Sequence, residues 1–147
     1  MSAREIEIRP AWPDDLPAVR ALLGECQLPT DDLTRDILSS FFVAESGEQL
    51  VGVAGFEVSG TDGLLRSLAV APDERSKRLG ERLVARCEAA ARSAGVKSLY
   101  LLTTADAYLR RLSYEDVPRE SVPPAIAAHP QFSGLCPACA KCLKKPL

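Results

Sequence analysis

Leu64–Gly95, LLRSLAVAPDERSKRLGERLVARCEAAARSAG, is the stretch on which the fold turns. It opens with a nearly unbroken apolar run, Leu64-Leu65-Arg66-Ser67-Leu68-Ala69-Val70. A run this short suits a strand buried on both faces better than a helix. Pro72 ends it, because proline has no N–H to give to a sheet ladder. A polar and mostly basic loop, Asp73–Arg78, follows. Apolar residues then recur at Leu79, Leu83, Val84, Cys87, Ala90, Ala91 and Ala94, which is the spacing of one helix face. Gly95 takes the place just past the helix end, where left-handed backbone is common. The first turn of a helix has amides without intrahelical partners and a partial positive charge. An anion, above all a phosphate, suits such a place, and Arg75, Lys77 and Arg78 add cations beside it. An ordinary strand–helix junction with a solvated basic turn fits the same charges.

With 147 residues the chain has the size of one domain, and a single domain over 1–147 is expected. A folded chain of this length hides about 68–70% of its unfolded surface, so a core forms without cross-links. Apolar residues make up 46% and charged residues 26%, both ordinary for a globular protein. A net charge of −2 gives no general attraction to nucleic acid or to anionic lipid, so neither is expected as a partner. No apolar segment approaches the roughly 18 residues of a membrane span. The start, Met1-Ser2-Ala3-Arg4-Glu5, lacks the apolar core of a signal peptide. A cytoplasmic location is therefore expected. The five cysteines, Cys26, Cys87, Cys136, Cys139 and Cys142, are odd in number and expected as reduced thiols.

In chain order, Arg4–Arg9 alternates, with Ile6 and Ile8 on one face, and predicts a strand closed by Pro10 and Pro13. Asp14 or Asp15 caps a predicted helix through about Glu25, with Leu16, Val19, Leu22 and Leu23 on one side. Trp12, in the loop before it, is expected as a hydrophobic anchor. A second short helix is predicted over Asp32–Ser39. Phe41–Glu45 and Gln49–Val58 read as strands around the turn Ser46-Gly47-Glu48, and Ser59–Gly63 turns the chain into the central strand. These strands form an antiparallel meander. The helix Leu79–Ala94 then leads into the apolar strand Ser98–Leu102, a right-handed parallel crossover. Thr103-Thr104-Ala105-Asp106 has the spacing of a helix start, for a helix Ala105–Leu112 with Tyr108, Leu109 and Leu112 on one side. A short strand at Tyr114, a short helix over Val122–Ala128 and a last strand over Phe132–Leu143 complete the prediction.

Val70-Ala71-Pro72-Asp73-Glu74-Arg75, with Gly80 five residues on, resembles motif A of the GNAT superfamily of N-acetyltransferases, Gln/Arg-x-x-Gly-x-Gly/Ala. Arg75 and Gly80 match the ends; Arg78 stands at the middle glycine and Ser76 where many members have another. The blocks Gly63–Val70, Tyr100–Thr104, Val117-Pro118-Arg119-Glu120 and Phe132-x-x-Leu135-Cys136-Pro137 resemble the acetyltransferases associated with arsenic-resistance operons. The resemblance implies an α/β (α+β) fold with a mixed, mostly antiparallel sheet flanked by helices. It implies transfer of acetyl from acetyl-CoA to the primary amine of a small molecule, an amino acid, an amino-acid analogue or an arsenical analogue. Transfer is by direct attack in a ternary complex and needs no metal; a homodimer is compatible with it. Backbone groups of Leu68, Ala69 and Val70 would bind the pantetheine arm, and the backbone of Ser76, Lys77, Arg78, Leu79, Gly80 and Glu81 the pyrophosphate. Thr104 would face the thioester, and a backbone N–H near Leu68 would polarise the acetyl carbonyl. Arg78 must either turn outward or supply charge where glycine gives close approach.

Many family members carry a tyrosine whose hydroxyl protonates the leaving thiolate, four residues before a glycine. Here Leu109 takes the tyrosine position and Ser113-Tyr114 the Gly-Phe position, while Tyr108 is one residue off. Glu57 is the candidate general base, a role that suits a carboxylate of raised pKa. Arg66 on the next strand either pairs with it or grips a substrate carboxylate. His129 is the single histidine, beside Pro130, and is expected as a loop residue. Cys136-x-x-Cys139-x-x-Cys142 has thiol spacing found in metal sites, but residues three apart on a strand face opposite ways, and no second pair completes a four-ligand set. No metal is expected. The missing glycine and tyrosine support a different class, a degenerate member of the fold that binds or senses, with a thiol metalloid site in the tail.

Overall fold

The computed structural model describes residues 6–28, 30, 33–103, 106–129 and 141–147; the side chains of Arg75, Ser76, Lys77 and Asp106 lie outside that description. Alternating apolar residues make β1 (Ile6–Pro10), which pairs antiparallel with β2 (Phe41–Ser46) from Ile6↔Ser46 to Pro10↔Phe42. Gly47, at φ 64°, turns β2 into β3 (Gln49–Ser59), again antiparallel. Gly60, at φ 62°, leads into β4 (Asp62–Val70). β5 (Ser98–Thr103) runs parallel to β4 over Asp62–Leu64 and Ser98–Tyr100. β7 (Lys141–Pro146) is antiparallel to β5 and to the short β6 (Glu115–Asp116). The seven strands follow the order β1-β2-β3-β4-β5-β7-β6. The helices are α1 (Leu16–Glu25), α2 (Leu79–Ser93), α3 (Asp106–Arg111) and α4 (Pro124–Ala127). This is the expected mixed sheet flanked by helices. Among the described residues no helix is long and apolar enough to cross a membrane.

The chain divides into two compact units, Met1–Gly55 with Ser67–Cys87, and Phe56–Arg66 with Glu88–Leu147. In the first, the α1 face Val19, Leu22 and Leu23 is buried with Leu33, Leu38, Phe41, Val43, Val53 and Ala69, and Leu16 packs beside them. Gly55 is a close-approach position: a β-carbon there would fall on the Phe41 ring. In the second unit Leu64, Tyr100, Val122, Ile126 and Cys142 share a core, with Leu102 and Val117 against it.

Several elements differ from their prediction. Asp15 does not cap α1 with its side chain; Pro13–Asp15 form a 3-10 turn, and the Asp15 carboxylate takes the Trp12 N–H at 2.6 Å. Trp12 is no buried anchor. The residue is 58% exposed, with the Arg9 guanidinium 3.8 Å over its ring, and Arg9 is itself held by Asp15 and Glu45. The helix predicted over Asp32–Ser39 is a single 3-10 turn, Ile37–Ser40, with Asp32 outside the described residues. Leu33 and Leu38 both reach the α1 core, and that burial governs the segment rather than helix propensity. The loop after β4 is a 3-10 helix, Pro72–Lys77. The last strand, expected over Phe132–Leu143, is seen over Lys141–Pro146, three residues past the expected end; residues 132–140 lie outside the described part. Cys142 and Leu143 are its buried residues, and the lysines on either side masked it in the sequence.

Candidate active site

At β4, the register with β5 ends at Leu64↔Tyr100. Three residues on, Ser67 has φ 59°, left-handed backbone inside a strand, which is the mark of a bulge. Leu68 and Val70 beyond it are half-buried and Ala69 is buried. The Val70 carbonyl lies 3.8 Å from the Cys26 thiol, and the Ala71 N–H is bonded to Val51 O.

The 3-10 turn Pro72–Lys77 hands the chain to α2 through Arg78, at φ 57° and ψ 25°. That is the conformation a glycine adopts without cost, so an arginine stands here in glycine-type backbone. The Arg78 side chain is 80% exposed and donates from Nε to Glu81 Oε2 at 3.0 Å. It has turned outward. The first α2 hydrogen bond runs from Arg82 N to Arg78 O at 3.2 Å, which leaves the Leu79, Gly80 and Glu81 amides ahead of the helical ladder. The side chains of Arg75, Ser76 and Lys77, and all of Thr104, lie outside the described residues.

In the second unit Glu57, near the end of β3, meets Arg66 of β4. Arg66 Nη1 donates to Glu57 Oε2 at 2.7 Å, with the guanidinium side chain wholly buried. A buried cation requires such a partner. His129 Nε2 lies 2.6 Å from the same oxygen. The turn that ends α4 sets this contact: Pro123 and Pro124 start the helix and the His129 N–H closes onto Ile126 O. The His129 hydrogen bond and then that of Arg66 hold the Glu57 carboxyl well below its usual range, at about 2, against the opposing effect of burial. The expected raised pKa is thus reversed, because two donors converge on one oxygen. His129, expected as a loop residue, is part of this cluster, 72 positions from Glu57. No local pattern could have shown it.

Leu109, at the position of the family tyrosine, is buried. Tyr108 is half-buried on α3, with the Arg111 guanidinium 5.6 Å from its ring centre. Cys87 is fully buried in α2. Cys142 is buried in β7, and burial pushes its thiol up; Cys136 and Cys139 lie outside the described residues. Among the described residues no group of three His, Cys, Asp or Glu is placed to hold a metal ion.

The model of the acetyltransferase (GNAT) family matches residues 6–114, most of the chain, and the chain belongs to that family. It is 32% identical over 92 residues to an uncharacterised N-acetyltransferase of Chlorobaculum tepidum, covering 60% of this chain and 58% of that protein. It is 37% identical over 98 residues to the amino-acid acetyltransferase of Ectopseudomonas mendocina, covering 65% of this chain and 23% of that one. The matched stretch thus spans less than two thirds of either relative. The fold is similar to that of N-acetylglutamate synthase from Neisseria gonorrhoeae, complexed with coenzyme A and N-acetyl-glutamate. There the TM-score is 0.85 at 22% identity, over 99% of this chain and 36% of that one. A Mycobacterium tuberculosis protein in complex with CoA gives a TM-score of 0.78 at 17% identity, over 96% and 99% of the two chains.

Proposed function

We propose that this protein is an N-acetyltransferase that moves acetyl from acetyl-CoA to the primary amine of a small molecule, by direct attack while both are bound. One observation carries the reading. β4 loses its β5 partner after Leu64, bulges at Ser67, and runs through a left-handed residue into a helix start whose amides precede the ladder. Backbone of this kind holds anionic and amide-bearing ligands. In this reading the Ser76–Glu81 backbone holds the pyrophosphate and Leu68–Val70 the pantetheine arm. An N–H near Leu68 stabilises the oxyanion that forms on the acetyl carbonyl oxygen when the amine attacks its carbon, and Thr104 faces the thioester.

An amino acid is the first substrate class to test, because one relative is an amino-acid acetyltransferase and one structural neighbour holds N-acetyl-glutamate. Amino-acid analogues, including an arsenical carrying an amine, fall in the same chemistry and follow from the arsenic-operon resemblance. Glu57, ionised and partly exposed, suits an ammonium group, and Arg66 fixes that carboxylate.

Leu109 favours a second reading, a protein of this fold that binds or senses with little catalysis, since leucine cannot protonate a thiolate. The raised Cys142 thiol disfavours a metalloid site in the tail, because the thiolate is the ligand. Calorimetric titration with acetyl-CoA decides first: the expected result is binding, and none at about millimolar concentration, some 4 kcal/mol of affinity, overturns the enzyme reading and leaves the binding or sensing one. Thiol release with each of the twenty amino acids decides next. Release with at least one supports the enzyme; binding without release supports the sensor.

A further inference from the structure

We propose that the outer edge of β1 fits a second copy of this chain as an added strand, and that Arg86 keeps that edge closed by occupying the Ile8 carbonyl. The groups involved, on β1, β2 and the first half of α2, all lie in the first compact unit. The described sheet ends at β1 and at β6. β6 has two residues, fewer than an ordinary strand needs to hold a partner. β1 has five, Ile6–Pro10. An edge strand with unpaired N–H and C=O groups is a template for another chain.

One bond gives the direction of every backbone group on β1. Ala11 N donates to Phe41 O at 2.9 Å, and Ala11 faces Phe41 in the register that runs through Pro10↔Phe42. Hydrogen bonding alternates along an antiparallel pair. Glu7 and Arg9 therefore turn their N–H and C=O toward β2, whereas Ile6, Ile8 and Pro10 turn theirs outward. Three features blunt that outer row. Pro10 has no N–H to give. Its carbonyl accepts from Arg9 Nη1 at 3.1 Å. The Ile8 carbonyl accepts from Arg86 Nη1, also at 3.1 Å. Arg86 comes from α2 with its guanidinium 4.8 Å from the centre of the Phe42 ring, an attraction that helps to hold it there. Between β1 and α2 lies a groove of about 570 Å3, lined by Ile6, Glu7, Ile8, Arg82, Ala85 and Arg86, with room for the side chains of an added strand. The edge is thus closed by polar groups more than by bulk.

Two copies of one strand pair antiparallel about a two-fold axis. An axis at Ile8 sets Ile8 against itself and Glu7 opposite the partner's Arg9. An axis at Glu7 sets Ile6 against the partner's Ile8, with two carboxylates opposite each other, which is unfavourable. The Ile8 axis is the better register, and both need the Ile8 carbonyl that Arg86 holds. An axis at Arg9 would pair Ile8 with Pro10, which returns no N–H.

The test is sedimentation velocity over a dilution series, with the wild type as the baseline whatever assembly it forms through other surfaces. Arg86→Met keeps an apolar stem beside Phe42 and removes the donor. It should associate more tightly than the wild type by about tenfold or more, since a two-fold pair frees two carbonyls. Ile8→Pro removes an outward N–H and leaves the bonds to β2 in place. Added to Arg86→Met, it should return the protein to the baseline. Arg86→Met that sediments as the wild type does overturns the proposal. Association that Ile8→Pro fails to reverse overturns it as well, because the contact then runs through another surface or through unfolded chains. Ile8→Pro made alone should leave the baseline unmoved. A fall there would mean that β1 is already paired in the wild type and that Arg86 closes nothing.

Discussion

A β-carbon in left-handed backbone crowds the following carbonyl, at a cost of about 1–2 kcal/mol per residue. Arg78 and Ser113 both bear that cost, at φ 57° and 76°. Arg78→Gly and Ser113→Gly should each relieve it. Glycine also gains freedom in the unfolded chain, which returns about 0.4–1 kcal/mol. The net expectation is a gain of roughly 0.5–1 kcal/mol at each site, read as a higher thermal unfolding midpoint. At Arg78 the exposed contact with Glu81 is lost, worth about 0–1 kcal/mol, so its gain should be the smaller. Because the Arg78 guanidinium is exposed and paired with Glu81, Arg78→Gly should also leave the salt dependence of acetyl-CoA affinity unchanged, as titrations at low and high salt would show. A shallower slope in the variant would mean that the side chain swings onto the ligand. Of the two alternatives the sequence posed for Arg78, an outward side chain and added charge, the exposed contact with Glu81 is the outward one.

Three elements are tied at one carboxylate. Glu88, on the second half of α2, is buried; Tyr114 Oη donates to its Oε2 at 2.9 Å, and Lys145 Nζ of β7 lies 3.0 Å from the same atom and 3.1 Å from Oε1. The tie links α2, the segment before β6, and β7. Tyr114→Phe removes one donor and leaves the ion pair, so it should cost about 1–2 kcal/mol in urea unfolding. Lys145→Met leaves a buried carboxylate without its cation and should cost more. Equal costs would show that the lysine is held by solvent rather than by Glu88. This network was not legible in the sequence, and the reason is general. Periodicity marked β2 to β5 and α2 closely, since each is organised by residues a few positions apart. Glu88 follows the buried Cys87 on α2 and lies outside the apolar spacing of that helix face, whereas its partners Tyr114 and Lys145 are far along the chain. His129 and Glu57 repeat the case at the candidate site. The Glu57–Arg66 pair was legible because it spans only a hairpin turn.

At the scale of the molecule, ion-paired carboxylates and a buried thiol set the pH range of stability from opposite sides. Glu57 is held at about 2 against an ordinary 4.5, and Asp15 is lowered chiefly by its hydrogen bond to Arg9. A group whose folded pKa is depressed stabilises the fold above its unfolded pKa, and that contribution is lost as pH falls through the folded value. For Glu57 the loss runs from about pH 4.5 down to about 2. The Cys142 thiol is pushed up from 9.0 by burial, so the sign inverts. Its contribution is complete below about pH 9 and is lost as pH rises toward the folded value, because the unfolded chain gives up that proton first. The urea midpoint should therefore be flat through neutral pH and fall on both sides. Glu57→Gln should shallow the acid arm and leave the alkaline one; Cys142→Ala should do the reverse, on a lower plateau because β7 loses a buried sulfur. An acid arm unchanged in Glu57→Gln would mean that Arg66 and His129 hold the carboxylate no more tightly in the folded chain than water does in the unfolded one.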